Sequence, residues 1–548
     1  MKKHPIVNPA YFLDNFKDSN YKNIAYALAE LFDNSIQADA SNISLLLPLT
    51  NGDFFNELAV VDDGFGMNIE KLNGALSLGE SSWDKGGMGK YGRGLLASSL
   101  SSGKRVEVYS WDKEWTKKNG DPSKKCLMSY MDKDELLSGI YNPSSGESDN
   151  LFLKEPSEVA VPKKWVDSIN HSNPEYFKGD SGTIIVWSNL QQQNWKTKKG
   201  LFDNVARETG RMYRYYIHGP KNIDLKYITS HERVPRKINL KLISFKDSLP
   251  SKTYPVEVVY RDPMFLMKNA DLSPDSKDGI FRNMKGEEFN FKKTPMFQEL
   301  SISKNYTTTN EDNITDPKTG PIEGTFSINA SIAKPEARDF KKNAGNEPHG
   351  QAAKRMQGLS VLRERREMDW NKNMIAPPGA GSEVYRWIGL EIDFDKSLDP
   401  IMGTTDEKQS AKLFMQALED VMDMKSDGDS NVQQHMQMLL NLKNQKTGNT
   451  EEDSLNFVTF YRYFFAVEAM TAIGTLQRMI RERTPDVFKS TDDGDDQSGN
   501  VDSEVKGTEA AKKDNNEGIT DVNKPLDDKE KIKEIINAFN DDENLVSS

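Results

Sequence analysis

A chain of 548 residues is longer than one hydrophobic core organises, so two or three domains are expected. Of the net charge of −12, the stretch from Ser490 onward carries −10 (17 acidic residues against 7 lysines), which leaves −2 for the rest and excludes nucleic-acid binding driven by bulk charge. One cysteine, Cys126, excludes an intramolecular disulfide framework and a cysteine-built zinc cluster.

The opening Met-Lys-Lys-His-Pro lacks the apolar run of a signal peptide. The most apolar long segment, Phe457–Gly474, contains Arg462 and Glu468, which a bilayer span would not tolerate. A reduced, cytoplasmic protein without a membrane partner is therefore expected. Ile24, Leu28, Leu31, Phe32 and Ile36 recur at helical spacing and predict an amphipathic helix from about Tyr21 to Ala38. Apolar runs at Ile43–Leu47 and Leu58–Val61 read as strands. A glycine-dense stretch leads into a helix at Leu95–Leu100 and a strand at Val106–Trp111. Residues 112–180 are polar and read as an insertion. A strand at Gly182–Trp187 and a helix at about Leu201–Tyr216 follow.

From about Asn222 the pattern changes. Ile238–Phe245, Pro255–Tyr260, Gly324–Ile332 and Trp387–Phe394 alternate as strands of a second domain. Lys408–Asp423 and Phe457–Arg483 read as helices, the latter carrying Phe464, Phe465, Val467 and Met470 as core or as a partner surface. Beyond Ser490 the composition predicts disorder, with one short helix at Ile532–Phe539. The expected division is 1–220, 221–425, 426–488 and 489–548.

Three segments of the first domain carry chemistry. In Glu30-Leu-Phe-Asp33-Asn34-Ser-Ile-Gln37, helical spacing places Glu30, Asp33, Asn34 and Gln37 on one polar stripe. A carboxylate and a carboxamide at i and i+4 suit a held water beside a Mg²⁺ ligand, although alone the stripe reads as a solvated helix face. In Asp62-Asp63-Gly64-Phe65-Gly66-Met67, a buried strand ends in carboxylates and glycines. That turn suits close approach to a ligand amino group, and equally a plain turn. Gly79–Gly94 holds six glycines in 16 residues and enters a helix, which suits phosphate or a flexible surface loop. Neither a Walker A loop nor a Rossmann turn is present.

In this order the three segments resemble the N box, the adenine-binding box and the lid of the GHKL ATPases, the group of gyrase, heat-shock chaperones, histidine kinases and MutL. Ala29–Ile43, Asp62–Met67 and Lys90-Tyr-Gly-Arg-Gly-Leu95 look most like the MORC ATPases and their prokaryotic relatives, although Ala97-Ser98-Ser99 departs from their spacing. The resemblance implies an α+β fold: a Bergerat-type α/β sandwich ATPase domain, a transducer-like α/β domain, a helical C-terminal part and a disordered acidic tail. It implies ATP and Mg²⁺ as ligands. Glu30 would be the general base, Asn34 the Mg²⁺ ligand and Asp62 the acceptor of the adenine amino group. Gly66 and Met67 would line the base, Gly92 and Gly94 would donate to phosphate with Lys90 nearby, and Thr183 would support Asp62 through water or serve merely as a strand residue.

Gly403-Thr-Thr-Asp-Glu-Lys408-Gln looks like the transducer loop of the MORC-like group, whose lysine meets the γ-phosphate, so Lys408 is the implied cation. Arg363, Arg365 and Arg366 read first as ion-paired, then as phosphate or nucleic-acid contacts. The implied function is an ATP-operated clamp that closes as a homodimer. Residues 1–20 fit a strap reaching the partner, or one packed on their own domain. The clamp would act on DNA or a DNA-processing partner, with a separate effector or nuclease subunit, in prokaryotic genome defence. A chaperone-like ATPase without DNA binding is the competing class. A MutL-type nuclease lacks a metal cluster, and a sensor kinase lacks its accompanying segments.

Overall fold

Asn23 opens helix α1 (Ile24–Gln37), its side-chain oxygen accepting the Ala25 N–H at 2.9 Å. The helix stops where Asp39 adopts a left-handed φ of 62°, which a short polar side chain tolerates. The last turn's carbonyls at Asn34, Ser35 and Ile36 accept from the N–H groups of Ala38, Ala40 and Asp39, and just beyond it the Arg236 guanidinium donates to the carbonyls of Asp39 and Ala40. This computed structural model describes residues 21–482 other than 50–51, 53, 78–93, 138–154, 192–194, 220–235, 247–248, 251–255, 268–279, 283–287, 292, 309–313, 317–319, 339–340, 377–383, 406–409, 427 and 446. Expectations for residues 1–20 and for the acidic tail lie outside that set.

The chain divides into two compact units. The first comprises Met1–Asn222 and Pro235–Tyr260, the second Ile223–Val234 and Arg261–Ser548. In the first, strands β1 (Asn42–Pro48), β2 (Glu57–Asp62), β3 (Gly103–Trp111), β4 (Cys126–Asp132), β5 (Ser157–Val159), β6 (Gly182–Leu190) and β7 (Asn239–Lys246) form one mixed sheet. Their order is β5-β4-β3-β6-β2-β1-β7, with the short pieces Leu249–Pro250 and Val256–Glu257 both pairing with β7. Only β1 and β7 run parallel among these labelled pairs.

Period-2 alternation gives each face its own core. Leu58 and Val60 of β2, with Ile185 and Trp187 of β6, join α1, α2 (Gly94–Ser102) and α4 (Lys198–Met212) on one side. Ala59, Val61, Ile184 and Val186 face Trp111, Trp165, Tyr176 and Phe177 on the other, with Trp165 supplied by α3 (Lys163–Ser172).

Two expectations change here. Residues 239–245 belong to the first sheet and Val256–Glu257 pair with them, and both lie in the first unit, not in a second domain. Leu240 and Leu242 bury on one face and Ile243 and Phe245 on the other, and alternation cannot announce a partner 197 residues away. The polar segment 112–180 is woven into the sandwich, supplying β4, β5, α3 and the Tyr176–Phe177 pair.

The second unit is built on a six-stranded sheet whose main path is β8 (Phe297–Glu299), β10 (Gly324–Ala333), β13 (Ile388–Phe394), β11 (Leu359–Arg363) and β12 (Arg366–Asn371). Strand β9 (Lys304–Thr308) also pairs with β10. Helices α5 (Lys412–Ser426), α6 (Asp429–Asn444) and α7 (Thr450–Glu482) complete it. Phe465 of α7 stacks on Phe326 of β10 at 4.1 Å with rings 4° from parallel, so the aromatic stripe of α7 is core. The fold is thus α+β with a helical C-terminal part. Among the described residues no helix is long and apolar enough to cross a membrane.

Candidate nucleotide site

Strand β2 delivers Asp62 to the end of the first sheet with its carboxylate 3% exposed. Oδ2 accepts the Ser35 hydroxyl at 2.8 Å and Oδ1 accepts the Gly64 N–H at 2.9 Å. Burial pushes the Asp62 carboxyl up to about 6; the Gly64 and Ser35 hydrogen bonds hold it down, and Asp63 adds a smaller push upward. The neighbouring acids divide the work. Asp63 accepts from the Ser41 N–H at 2.7 Å and from Asn42 through its N–H and side-chain amide, tying β2 to the start of β1.

Gly66 turns the chain with φ 69°, and a Cβ there would lie 1.9 Å from the Trp111 carbonyl oxygen. Only glycine permits that approach. Met67 follows, half-buried, and its N–H donates to Ser110 Oγ at 2.9 Å. Ser110 Oγ lies 3.0 Å from Thr183 Oγ1, and Thr183 stands opposite Asp62 in the β2–β6 register. The Thr183 hydroxyl therefore reaches the Met67 turn through Ser110. Behind them the Tyr176 hydroxyl sits 2.9 Å from the Asp62 carbonyl oxygen and 3.1 Å from that of Thr183.

On α1, Glu30 and Asp33 are 2% and 0% exposed, so the stripe they share is no solvated face. Asp33 Oδ1 lies 2.8 Å from the Tyr213 hydroxyl, which also approaches the Ala29 carbonyl at 2.9 Å. Glu30 lies under the first residue of α2: a Cβ on Gly94 would stand 2.3 Å from Glu30 Oε2. Helix α2 is pinned in turn, because the Trp187 indole N–H donates to Ser99 Oγ at 2.7 Å. The Ala97-Ser98-Ser99 sequence thus supplies a buried acceptor. Asn34 is half-buried one turn after Glu30. Gln37, a further turn on, has both amide atoms buried without a hydrogen-bond partner among the described residues.

The first unit therefore contains Glu30, Asn34, Asp62, Gly66, Met67, Gly94 and Thr183. Lys90, Gly92 and Lys408 lie outside the described residues. In the second unit the flanks of Lys408 are held together: Thr404 bridges Ala411, and the Thr405 N–H donates to the Ser410 carbonyl. The Thr404 hydroxyl donates to Asp399 Oδ1, and the Ser410 hydroxyl to Asp369 Oδ2. Asp399 is the bidentate partner of Arg363, at 2.7 and 2.8 Å, and Arg365 pairs with Asp393 at 2.9 Å. Both arginines are buried in ion pairs.

Residues 21–139 match the family model described as "Histidine kinase-, DNA gyrase B-, and HSP90-like ATPase". Protein MICRORCHIDIA 7 of Arabidopsis thaliana is 30% identical over 268 residues, 46% of this chain and 35% of its own. ATPase morc-1 of Caenorhabditis elegans is 24% identical over 256 residues, 41% of this chain and 29% of its own. The human structural maintenance of chromosomes flexible hinge domain-containing protein 1 is 25% identical over 269 residues, 45% of this chain and 13% of its own. The chain resembles the GHKL ATPases of the MORC-like type. It spans about a third or less of the length of these curated relatives.

The chemistry of the first unit fits a purine nucleotide. A buried acid with acceptor capacity to spare, a side-chain-free approach at Gly94 and an uncommitted amide at Gln37 are features a packed core does not retain without use. Among the described residues no group of three or more His, Cys, Asp or Glu could hold a metal. A cation here would take most of its oxygens from phosphate and water, with Asn34 as a neutral ligand. Cys126 is buried, with burial pushing its thiol up to about 12, so it is not a nucleophile.

Ser35, Ser110, Tyr176 and Tyr213 were not legible as site residues. Ser35 had a usable signal, because it sits beside Asn34 on the sheet-facing side of α1. The other three reach the site across 43 to 180 residues of sequence, with no local mark.

Proposed function

We propose that the first unit binds and hydrolyses ATP, and that the chain works as an ATP-operated clamp. The observation that carries this is the buried Asp62 carboxylate, held by Ser35 and Gly64 at the end of β2, beyond a helix that buries Glu30 against Gly94. Asp62 accepts from the adenine amino group while Gly66 and Met67 bound the base and Thr183, through Ser110, fixes the Met67 turn. Glu30, held close to the glycine that opens α2, accepts a proton from the attacking water. Asn34 supplies an amide oxygen to Mg²⁺, which when bound neutralises phosphate charge. Lys90, Gly92 and Gly94 are assigned to the phosphates and Lys408 to the γ-phosphate.

Such a lysine, contributed by the second unit, makes ATP a latch that hydrolysis releases, because its contact exists only while the γ-phosphate does. The clamp is read as a homodimer on ATP, acting on DNA or a DNA-processing partner with a separate effector or nuclease subunit, in genome defence. The near-neutral charge outside the acidic tail supports the competing class, a chaperone-like ATPase.

Two measurements test this. Sedimentation of Glu30→Ala with ATP should show nucleotide bound, turnover lost and the dimer accumulating. Normal hydrolysis by that variant contradicts the assignment. DNA affinity measured from 50 to 200 mM salt should fall steeply, since phosphate contacts release counterions. No DNA affinity at low salt transfers the reading to the chaperone class.

A further inference from the structure

We infer that Ser35 sets the nucleobase selectivity of this pocket by committing its one hydroxyl hydrogen to Asp62, which keeps the acid an acceptor-only carboxylate and so selects a purine carrying an amino group over one carrying a carbonyl at that edge. The inference deepens the reading of the pocket as an ATP site and rests on it. Ser35 is 1% exposed. Its Oγ lies 2.8 Å from Asp62 Oδ2 and 3.1 Å from the Leu31 carbonyl oxygen, so the single hydrogen has two acceptors to choose between.

When the hydrogen points to Asp62, both carboxylate oxygens are addressed by donors, Ser35 on one and the Gly64 N–H on the other. Each keeps acceptor capacity for one more donor, and an exocyclic amino group supplies it. When the hydrogen points to Leu31 instead, the carboxylate loses the Ser35 donor. A protonated Asp62 then offers its own hydrogen to the ligand, and the pocket suits a carbonyl. Burial lifts the acid to about 6, and the Ser35 bond is one of the two that hold it down.

Among the described residues nothing else around Asp62 takes over this task. Asp63 is tied to Ser41 and Asn42 and opposes ionisation. Tyr176 donates to the main-chain oxygen of Asp62, not to its carboxylate. On the helix that carries Ser35, Asp33 is turned to Tyr213 and Glu30 lies against Gly94. Thr183, opposite on β6, is neutral and joined to Ser110. No cation is hydrogen-bonded to the carboxylate, and its two donors are the only partners recorded among the described residues.

The test is calorimetric binding of ADP and of inosine diphosphate from pH 5 to 8.5, for wild type, Ser35→Ala and Ser35→Thr. Wild type should prefer ADP, losing it as pH falls through about 6. In Ser35→Ala the midpoint should move about one pH unit upward, and the preference for ADP at pH 7 should fall at least about tenfold. Ser35→Thr, which keeps the hydroxyl, should restore both.

An unchanged midpoint and preference in Ser35→Ala overturns the proposal. So does loss of ADP at every pH, because an Asp62 merely shifted upward is still ionised at 8.5, and a purely structural role for Ser35 would then account for the loss. If wild type binds neither nucleotide, the ATP reading itself falls, and this proposal with it.

Discussion

Asp62 sits in the fold at the expense of stability, and that gives it a measurable signature. Its carboxyl titrates at 3.8 when exposed and at about 6 in place. Below about pH 4 both states are protonated and nothing is lost. Between 4 and 6 the unfolded chain gives up its proton while the folded one keeps it, so stability falls as pH rises through that window. The difference is about 3 kcal/mol above pH 6. Asp62→Asn should therefore melt several degrees higher than wild type at pH 7.5 without nucleotide, a gain that shrinks toward pH 4, while losing stabilisation by ATP. A lower melting temperature at pH 7.5 contradicts the burial argument. Two glycines give residue-scale tests of a different kind. In Gly66→Ala the new methyl meets the fixed Trp111 carbonyl at a left-handed φ, and about 2–3 kcal/mol or more should be lost in thermal unfolding. In Gly94→Ala the methyl meets the end of the Glu30 side chain, which can swing aside. ATP binding should then persist while turnover drops about tenfold or more, as expected when a general base is misplaced. The sequence showed the types of Glu30, Asn34 and Asp62 but not their surroundings. A polar stripe on a helix looks alike whether it faces water or the protein interior, and the burial of Glu30 and Asp33, the Gly94 approach and the Tyr213 contact distinguish the two.

Helices and strands carry these residues, so their anchoring has its own consequences. Helix α2, which begins at Gly94, takes a buried hydrogen bond from Trp187 at Ser99, and the buried Lys133 ammonium donates to its Leu100 carbonyl. Ser99→Ala strands the indole N–H in the core, and should cost about 1–3 kcal/mol. Trp187→Phe removes the donor too and leaves a smaller ring, so its loss should come from packing alone. Comparing the two by denaturant unfolding separates the polar and apolar parts. The strands of the first sheet were legible because each is a short apolar run bounded by turn residues, as at Ile43–Leu47 and Leu58–Val61. The origin of β7 was not, since parallel pairing with β1 follows from long-range packing and leaves no signal in either strand. Polar composition hid the role of 112–180 for a related reason. A few residues, Trp165, Ile169, Tyr176 and Phe177, do the packing, while the stretch 170–175 between them is mostly exposed. The Arg363–Arg366 run shows the opposite outcome, with the plain expectation of ion pairing met at Asp399 and Asp393. There Glu364 and Arg365 turn between β11 and β12 with φ of 52° and 67°, and Asp393 holds the turn through the Arg365 N–H.

For the molecule as a whole, the two-unit division separates the unit proposed to bind ATP from the unit bearing Lys408, and the proposed latch requires both. Its homodimer, its DNA and its effector belong to the proposed clamp, and this chain spans about a third or less of the relatives it matches. All of them depend on a nucleotide sitting between Asp62 and Glu30. The most direct measurement is equilibrium binding of ATP to wild type, Asp62→Asn and Glu30→Ala, with hydrolysis followed in the same samples. Wild type should bind and turn over, Glu30→Ala should bind without turnover, and Asp62→Asn should do neither while remaining folded. Wild-type affinity in Asp62→Asn, or wild-type turnover in Glu30→Ala, would place the nucleotide elsewhere and contradict the account.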